Sequence, residues 1–277
     1  MSYTTIITVK ELQNLSSDQV VIFDCRHSLA DTEAGRNAYL AGHIPGARFA
    51  HLDEDLSGDI LPGITGRHPL PHPAVFGTWL GKQGVSNDHQ VVVYDDKGGA
   101  IAARLWWMLC WVGHRKVAVL EGGWPTWEKT GQISTTLPGI SPHEFTVDLH
   151  DEMIAEVEDV QTSTGRIIDA RAAARFRGEV EPIDPVAGHI PNADNLPFAD
   201  NLLADGRFKS KEELRKRFAA ATSVETPLIV YCGSGVTACH NLLAMEIAGL
   251  QGGRLYPGSW SHWITDPERP VVHEFEL

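Results

Sequence analysis

The chain has 277 residues, 43% of them apolar and 21% charged, an ordinary globular composition with length for two domains. A formal net charge of −13 with neutral histidines disfavours nucleic acid and anionic membrane surfaces as partners of the whole protein. The longest apolar stretch, Leu105 to Val112, is too short to span a bilayer, and Met1 to Lys10 lacks the basic start and apolar run of a secretory leader.

In chain order, Thr8-x-x-Glu11 has the form of a capping box and predicts a short helix to about Leu15. Val20 to Phe23 reads as a buried strand ending in Asp24-Cys25-Arg26, and Glu33 to Leu40 as a helix. Gly42-His43-Ile44-Pro45-Gly46-Ala47 is a turn into another strand. Residues 51–72 form a Pro/Gly-rich excursion, long enough to be functional or to cover something. Helical pattern returns from Pro73 to Lys82, Val91 to Tyr94 is a strand, Asp95 to Gly99 a loop, and Ala100 to Val112 a strongly apolar helix. Lys116 to Leu120 is a further strand, followed by Gly122-Gly123-Trp124.

The second half repeats this order. Ile168-Asp169-Ala170-Arg171 answers Phe23-Asp24-Cys25-Arg26, and Gly188-His189-Ile190-Pro191 answers Gly42-His43-Ile44-Pro45. Ser210-x-x-Glu213 caps a helix to about Ala221, Ile229-Val230-Tyr231 answers Val92-Val93-Tyr94, and Gly258-Ser259-Trp260 answers Gly122-Gly123-Trp124. Partners keep their order while their separation drifts slowly, the mark of a tandem duplication. Strands alternating with helices predict two α/β domains, each with a mainly parallel sheet flanked by helices. The expected boundaries are 1–138 for the first domain, a linker over 139–151, and 152–277 for the second.

The strand Leu228 to Tyr231 runs into Cys232-Gly233-Ser234-Gly235-Val236-Thr237-Ala238, with a helical pattern directly behind. Two glycines let the backbone curl, and the loop N–H groups and helix N-terminus converge where the sulfur sits, favouring its anion. Overlaying the halves puts Asp95 where Cys232 stands. A carboxylate in a ring of N–H donors is a stable cap and not a sulfur nucleophile, so the first half is expected to be catalytically silent. Four cysteines without a C-x-x-C pair or a regular framework read as reduced thiols of a cytoplasmic protein, and none has metal-ligand spacing.

These residues resemble the two-domain rhodanese (sulfurtransferase) family over nearly the whole chain: Asp24-Cys25-Arg26, both Gly-His-Ile-Pro segments, the Cys232 loop and both Trp-containing motifs. Cys-Gly-Ser-Gly-Val-Thr-Ala is similar to the 3-mercaptopyruvate sulfurtransferase branch, whereas thiosulfate-using relatives place cationic residues where Gly233 and Ser234 stand. The resemblance implies an α/β tandem duplication of rhodanese-like domains, each a mainly parallel five-stranded sheet flanked by helices, and a double displacement in which Cys232 becomes a persulfide and passes sulfur to cyanide or a thiol, with no metal or organic cofactor. It implies that Gly233, Gly235, Val236 and Thr237 line the substrate through the loop, that Ser234 with His43, and more loosely Asp31 or a neighbour, forms a Ser-His-Asp arrangement, and that Arg175 clamps the donor's carboxylate. The family's second arginine falls on Asp184 here, a departure for which Arg177, Arg67 or His68 could compensate. Arg171, like Arg26, is expected to make a structural ion pair. The implied partners are a small-molecule donor and a thiophilic acceptor, with a thiol reductant such as thioredoxin beside them, and neither nucleic acid nor membrane.

Three rivals accompany this reading. A thiosulfate:cyanide sulfurtransferase would use the same persulfide. A cysteine phosphatase needs an arginine six residues after the cysteine, where this chain has Ala238. A persulfide carrier would hand sulfur to a partner protein with little turnover on small donors.

Overall fold

Strands such as Val20–Asp24 and Gln90–Tyr94 are short β-branched runs with almost every side chain buried, the pattern of a parallel sheet covered by helices on both faces. The structure is a computed structural model and describes residues 2–219 and 228–274. The chain divides into two units: residues 1–58, 71–150 and 204–208 in the first, and 59–70, 151–203 and 209–277 in the second. The excursion after residue 51 is therefore divided, its part from Asp59 to Leu70 being counted with the second unit.

In the first unit, β1 (Ile6–Ile7), α1 (Val9–Gln13), β2 (Val20–Asp24), α2 (Ala34–Ala41), β3 (Arg48–Phe49), α3 (Pro73–Lys82), β4 (Gln90–Tyr94), α4 (Ala102–Trp111), β5 (Val117–Leu120) and α5 (Gly123–Trp127) follow in order. Its sheet has the order β1-β5-β4-β2-β3, all pairs parallel, with Ile22 opposite Val92 and Val92 opposite Ala118. Thr8 accepts the Glu11 N–H while Glu11 receives the Thr8 N–H, so the capping box starts α1 as its sequence predicts. All ten residues of α4 are buried, and all but Arg104 are apolar, as a helix enclosed on every side requires.

The second unit contains α6 (Val157–Gln161), β6 (Arg166–Asp169), α7 (Ala173–Phe176), β7 (Ala193–Asn195), α8 (Lys211–Phe218), β8 (Leu228–Tyr231), α9 (Ala238–Ile247), β9 (Gly253–Leu255) and α10 (Ser259–Trp263). Its described sheet is four-stranded, β7-β6-β8-β9, again parallel, with Ile168 opposite Val230. The counterpart of β1 shrinks to a single parallel bridge, Ile154 to Leu255, just before α6. The end expected for the Ser210 helix, Ala221, lies outside the described residues.

The repeat extends to individual side chains. Arg26 clamps Asp24 and donates to the Gly42 carbonyl at 2.6 Å, with Trp124 4.4 Å beneath its guanidinium. Arg171 does the same to Asp169 and the Gly188 carbonyl at 2.7 Å, over Trp260 at 4.8 Å. Both arginines are thus structural, each tying the end of a central strand to the Gly-His-Ile-Pro turn. The turn histidines match too: His43 stacks on Tyr39 and bonds its carbonyl, and His189 stacks on Phe176 and bonds its carbonyl, each at 2.8 Å.

Candidate active site

In parallel α/β sheets, ligands meet the loops at the carboxyl ends of the strands. In the second unit the segments that follow β6, β8 and β9 carry Arg175 on α7, Cys232 in the loop itself and Ser259 at the start of α10. Cys232 is 2% exposed. The carbonyls of Cys232 and Gly233 are drawn away by the N–H groups of Trp260 and Ser261 at 3.0 and 2.9 Å, and the Cys232 N–H donates to Ser259 Oγ at 3.1 Å. Gly235 takes φ +77°, and a Cβ there would stand 2.4 Å from the Pro257 carbonyl oxygen, so this position requires glycine. Val236 is buried, Thr237 is the N-cap residue of α9, and α9 begins at Ala238.

The matching loop of the first unit displays what such a scaffold binds. Asp95 Oδ1 accepts from the N–H groups of Lys97 and Gly99, and Oδ2 from those of Ile101 and Ala102, all four at 2.8 Å. A buried anion is thus held by backbone dipoles alone at the position equivalent to the thiol. Ser259 is a member of the site that sequence reasoning passed over. Its counterpart Gly123 has φ +53°, and Ser259 keeps that same angle although it is not glycine. This left-handed conformation is disfavoured for L side chains, and here it delivers a hydroxyl to the Cys232 N–H. The Gly-Gly-Trp to Gly-Ser-Trp difference was the signal available in the sequence.

The Asp59–Leu70 segment supplies two further groups. His68 is 6% exposed, and its Nδ1 lies 2.8 Å from Ser234 Oγ. The Arg67 N–H donates to Ser261 Oγ at 3.0 Å, and its guanidinium pairs with Asp184. Asp184 also binds Arg175 Nη2 at 3.1 Å, while Glu181 takes Arg175 Nε and Nη2 at 3.1 and 2.7 Å. Both guanidiniums face Gly233: a Cβ added there would lie 3.0 Å from Arg67 Nη2 and 3.5 and 3.6 Å from Arg175 Nη2 and Nη1. Burial raises the Asp184 carboxyl from its ordinary range against the pull of Arg67 and Arg175. Burial also pushes Glu181 upward, but the hydrogen bonds from Arg175 and from the Asp184 and Ile183 N–H groups together hold it below the usual range.

The histidine against Ser234 is therefore His68, and His43 is engaged elsewhere. Its Nδ1 lies 2.8 Å from the Tyr39 carbonyl and its Nε2 3.2 Å from the Thr136 carbonyl. Fully buried, it holds a turn as His189 does. His43→Ala is expected to lower the unfolding free energy by about 2 kcal/mol, from a lost hydrogen bond to a backbone carbonyl and a lost stack, with turnover per folded molecule unchanged; urea unfolding beside steady-state rates checks this. Asp31 is exposed, and its carboxylate receives the Glu33 N–H at 3.1 Å ahead of α2. Arg177 forms an exposed pair with Glu179 at 2.6 Å and does not compensate for Asp184. Among the described residues, His27, His51 and Asp53 bring ligand atoms within 4.8 Å of one another, as do Glu33, His51 and Glu54. Both nitrogens of His51 are already committed, Nδ1 to the Asp53 and Glu54 N–H groups and Nε2 to the Thr32 carbonyl, so neither group reads as a metal centre.

Two parallel α/β units, the second presenting a cysteine in a loop built to hold an anion, define a tandem thiol protein. The family model of the Rhodanese-like domain matches twice, over residues 8–130 and 147–266, and the chain belongs to the rhodanese family in its two-domain form. It is 47% identical to a "Probable 3-mercaptopyruvate sulfurtransferase" of Pseudomonas aeruginosa, covering 98% of this chain and 99% of that one. It is 38% identical to the thiosulfate sulfurtransferase of Mus musculus, over 87% and 84% of the two chains. The crystal structure of a 3-mercaptopyruvate sulfotransferase from Escherichia coli superposes with a TM-score of 0.81 at 33% identity, covering 94% of this chain and all of that one. No helix among the described residues is long and apolar enough to cross a membrane.

Proposed function

We propose that the protein is a sulfurtransferase that carries the sulfur of 3-mercaptopyruvate through a persulfide on Cys232 to a thiophilic acceptor such as cyanide or a thiol. The observation that carries the reading is the Ser234 hydroxyl, two residues after the thiol and 2.8 Å from His68 Nδ1. The Cys232 thiolate attacks the donor's sulfur, the carbon–sulfur bond breaks, and its electron pair remains on the organic fragment as the enolate of pyruvate. That enolate needs a proton, which Ser234 delivers with His68 behind it. Arg67 and Arg175 receive the donor's carboxylate beside Gly233. The acceptor then attacks the outer sulfur, the sulfur–sulfur bond breaks, and the Cys232 thiolate returns, stabilised by the Gly233–Thr237 loop and the start of α9. A thiol reductant such as thioredoxin would serve as acceptor, and four buried cysteines with no disulfide among them suit a cytoplasmic setting.

Thiosulfate as donor is the second reading, favoured by the two guanidiniums at Gly233. Its leaving sulfite needs no proton, so Ser234 and His68 would be idle. The test is steady-state turnover with each donor against cyanide. Parallel double-reciprocal lines and a higher kcat/KM for mercaptopyruvate are expected. A higher value for thiosulfate overturns the donor assignment, and negligible rates with both favour a persulfide carrier.

A further inference from the structure

Asp184 occupies an unusual position for an acid in an anion site. Its side chain is 2% exposed, and it joins the two guanidiniums that flank Gly233, one carboxylate oxygen on Arg67 and the other on Arg175. Glu181 holds the Nε and Nη2 edge of Arg175, sharing Nη2 with Asp184, and also meets Arg171 at 3.3 Å. Arg67 and Arg175 thus carry two positive charges to the thiol loop, while Asp184 and Glu181 bring two negative charges against the same guanidiniums. The rim is close to neutral overall, yet its guanidinium nitrogens still point at Gly233. Such a surface offers directional hydrogen bonds to one carboxylate and little net attraction for a second negative charge.

We infer that Asp184 is a donor-selecting residue, a buried counter-charge that sets Arg67 and Arg175 to receive a monocarboxylate sulfur donor in preference to a small dianion. The inference rests on the reading of Cys232 as the sulfur-accepting thiol. Hydrogen bonding and charge are separable here. Asparagine at 184 keeps the shape and one acceptor oxygen but removes the negative charge, so the rim becomes net cationic. A dianion gains more from that change than a monoanion does, in proportion to its charge.

The experiment compares the full-length wild type with Asp184→Asn, Asp184→Glu and Arg67→Gln, using mercaptopyruvate and thiosulfate with cyanide as acceptor. The ratio of kcat/KM for thiosulfate to that for mercaptopyruvate is expected to rise about tenfold in Asp184→Asn, mainly through KM and more strongly at low salt. Asp184→Glu keeps the charge and should hold the ratio within about twofold of wild type. Arg67→Gln, at a side chain that is 29% exposed, should lower the ratio. A ratio unmoved in Asp184→Asn, or a uniform loss with both donors, makes Asp184 a strut for the arginines and overturns the inference. If Asp184→Asn does not fold, an unmoved or raised ratio in Arg67→Gln overturns it.

A wild type that transfers sulfur from neither donor is a failure of the functional reading instead. Direct binding then decides: calorimetry of thiosulfate and pyruvate on Cys232→Ser, with and without Asp184→Asn, must show the same shift toward the dianion, and an unchanged selectivity again overturns the inference.

Discussion

Cys232→Ser is expected to remove sulfur transfer entirely, a loss of at least about 10⁴-fold with either donor. The serine oxygen is a far weaker nucleophile than a thiolate at neutral pH and cannot carry a persulfide. The change is nearly isosteric at a 2% exposed site, and its backbone anchors to Trp260 and Ser259 do not involve the sulfur, so the thermal midpoint should stay close to wild type. Mass spectrometry sharpens the result. Wild type treated with donor alone should gain one sulfur atom on the peptide containing Cys232, and the variant none. Cys239 is the internal control: it is fully buried in α9 with its thiol on the Gly235 carbonyl at 3.3 Å. Sulfur found on Cys239, or transfer retained by the variant, would sink the scheme.

Ser234→Ala should lower mercaptopyruvate turnover by about 10²-fold while leaving thiosulfate turnover within about threefold. Only the first donor leaves behind an enolate that must be protonated. His68→Ala should behave alike, and the double variant should be little worse than either single one, because two groups that pass one proton act as a unit. The loss belongs in kcat, since a proton delivered in the bond-breaking step is not part of ground-state binding. Equal losses with both donors would mean that Ser234 shapes the loop and does not supply a proton. Together with the Asp184 series, these variants separate three roles within a few residues of one thiol: accepting sulfur, protonating the leaving fragment and selecting its charge.

Periodicity and turn chemistry are local, and much of the fold was legible from them. The capping box at Thr8, α3 from Pro73 to Lys82 and the buried runs of β2, β4 and β8 stand where hydrophobic pattern and capping residues put them. The duplication made the Asp95 loop readable as well. Asp95 sits in its ring of N–H donors because aligned copies of one backbone impose the same dipoles on whatever side chain follows the strand. Among the described residues the second sheet has four strands, and a single bridging residue, Ile154, stands in the place of the fifth, with too little pattern around it to reveal its length.

The Cys232 loop, the repeat and the structural role of Arg171 were decided by the sequence itself, because each depends on residues adjacent in the chain or on a copy of them. The partner of Ser234 was decided only by tertiary structure. His43 had the motif, but both of its ring nitrogens face backbone carbonyls, of Tyr39 and Thr136, and neither faces a serine hydroxyl. His68 lies in a stretch without periodicity, and nothing local distinguishes it from a surface histidine. Asp184 is the same kind of case: in sequence it is a missing arginine, and in space it is the carboxylate between two. Which charges meet depends on contacts between residues far apart in the chain, among them Arg67 with Asp184 and His68 with Ser234, and only the folded chain forms them.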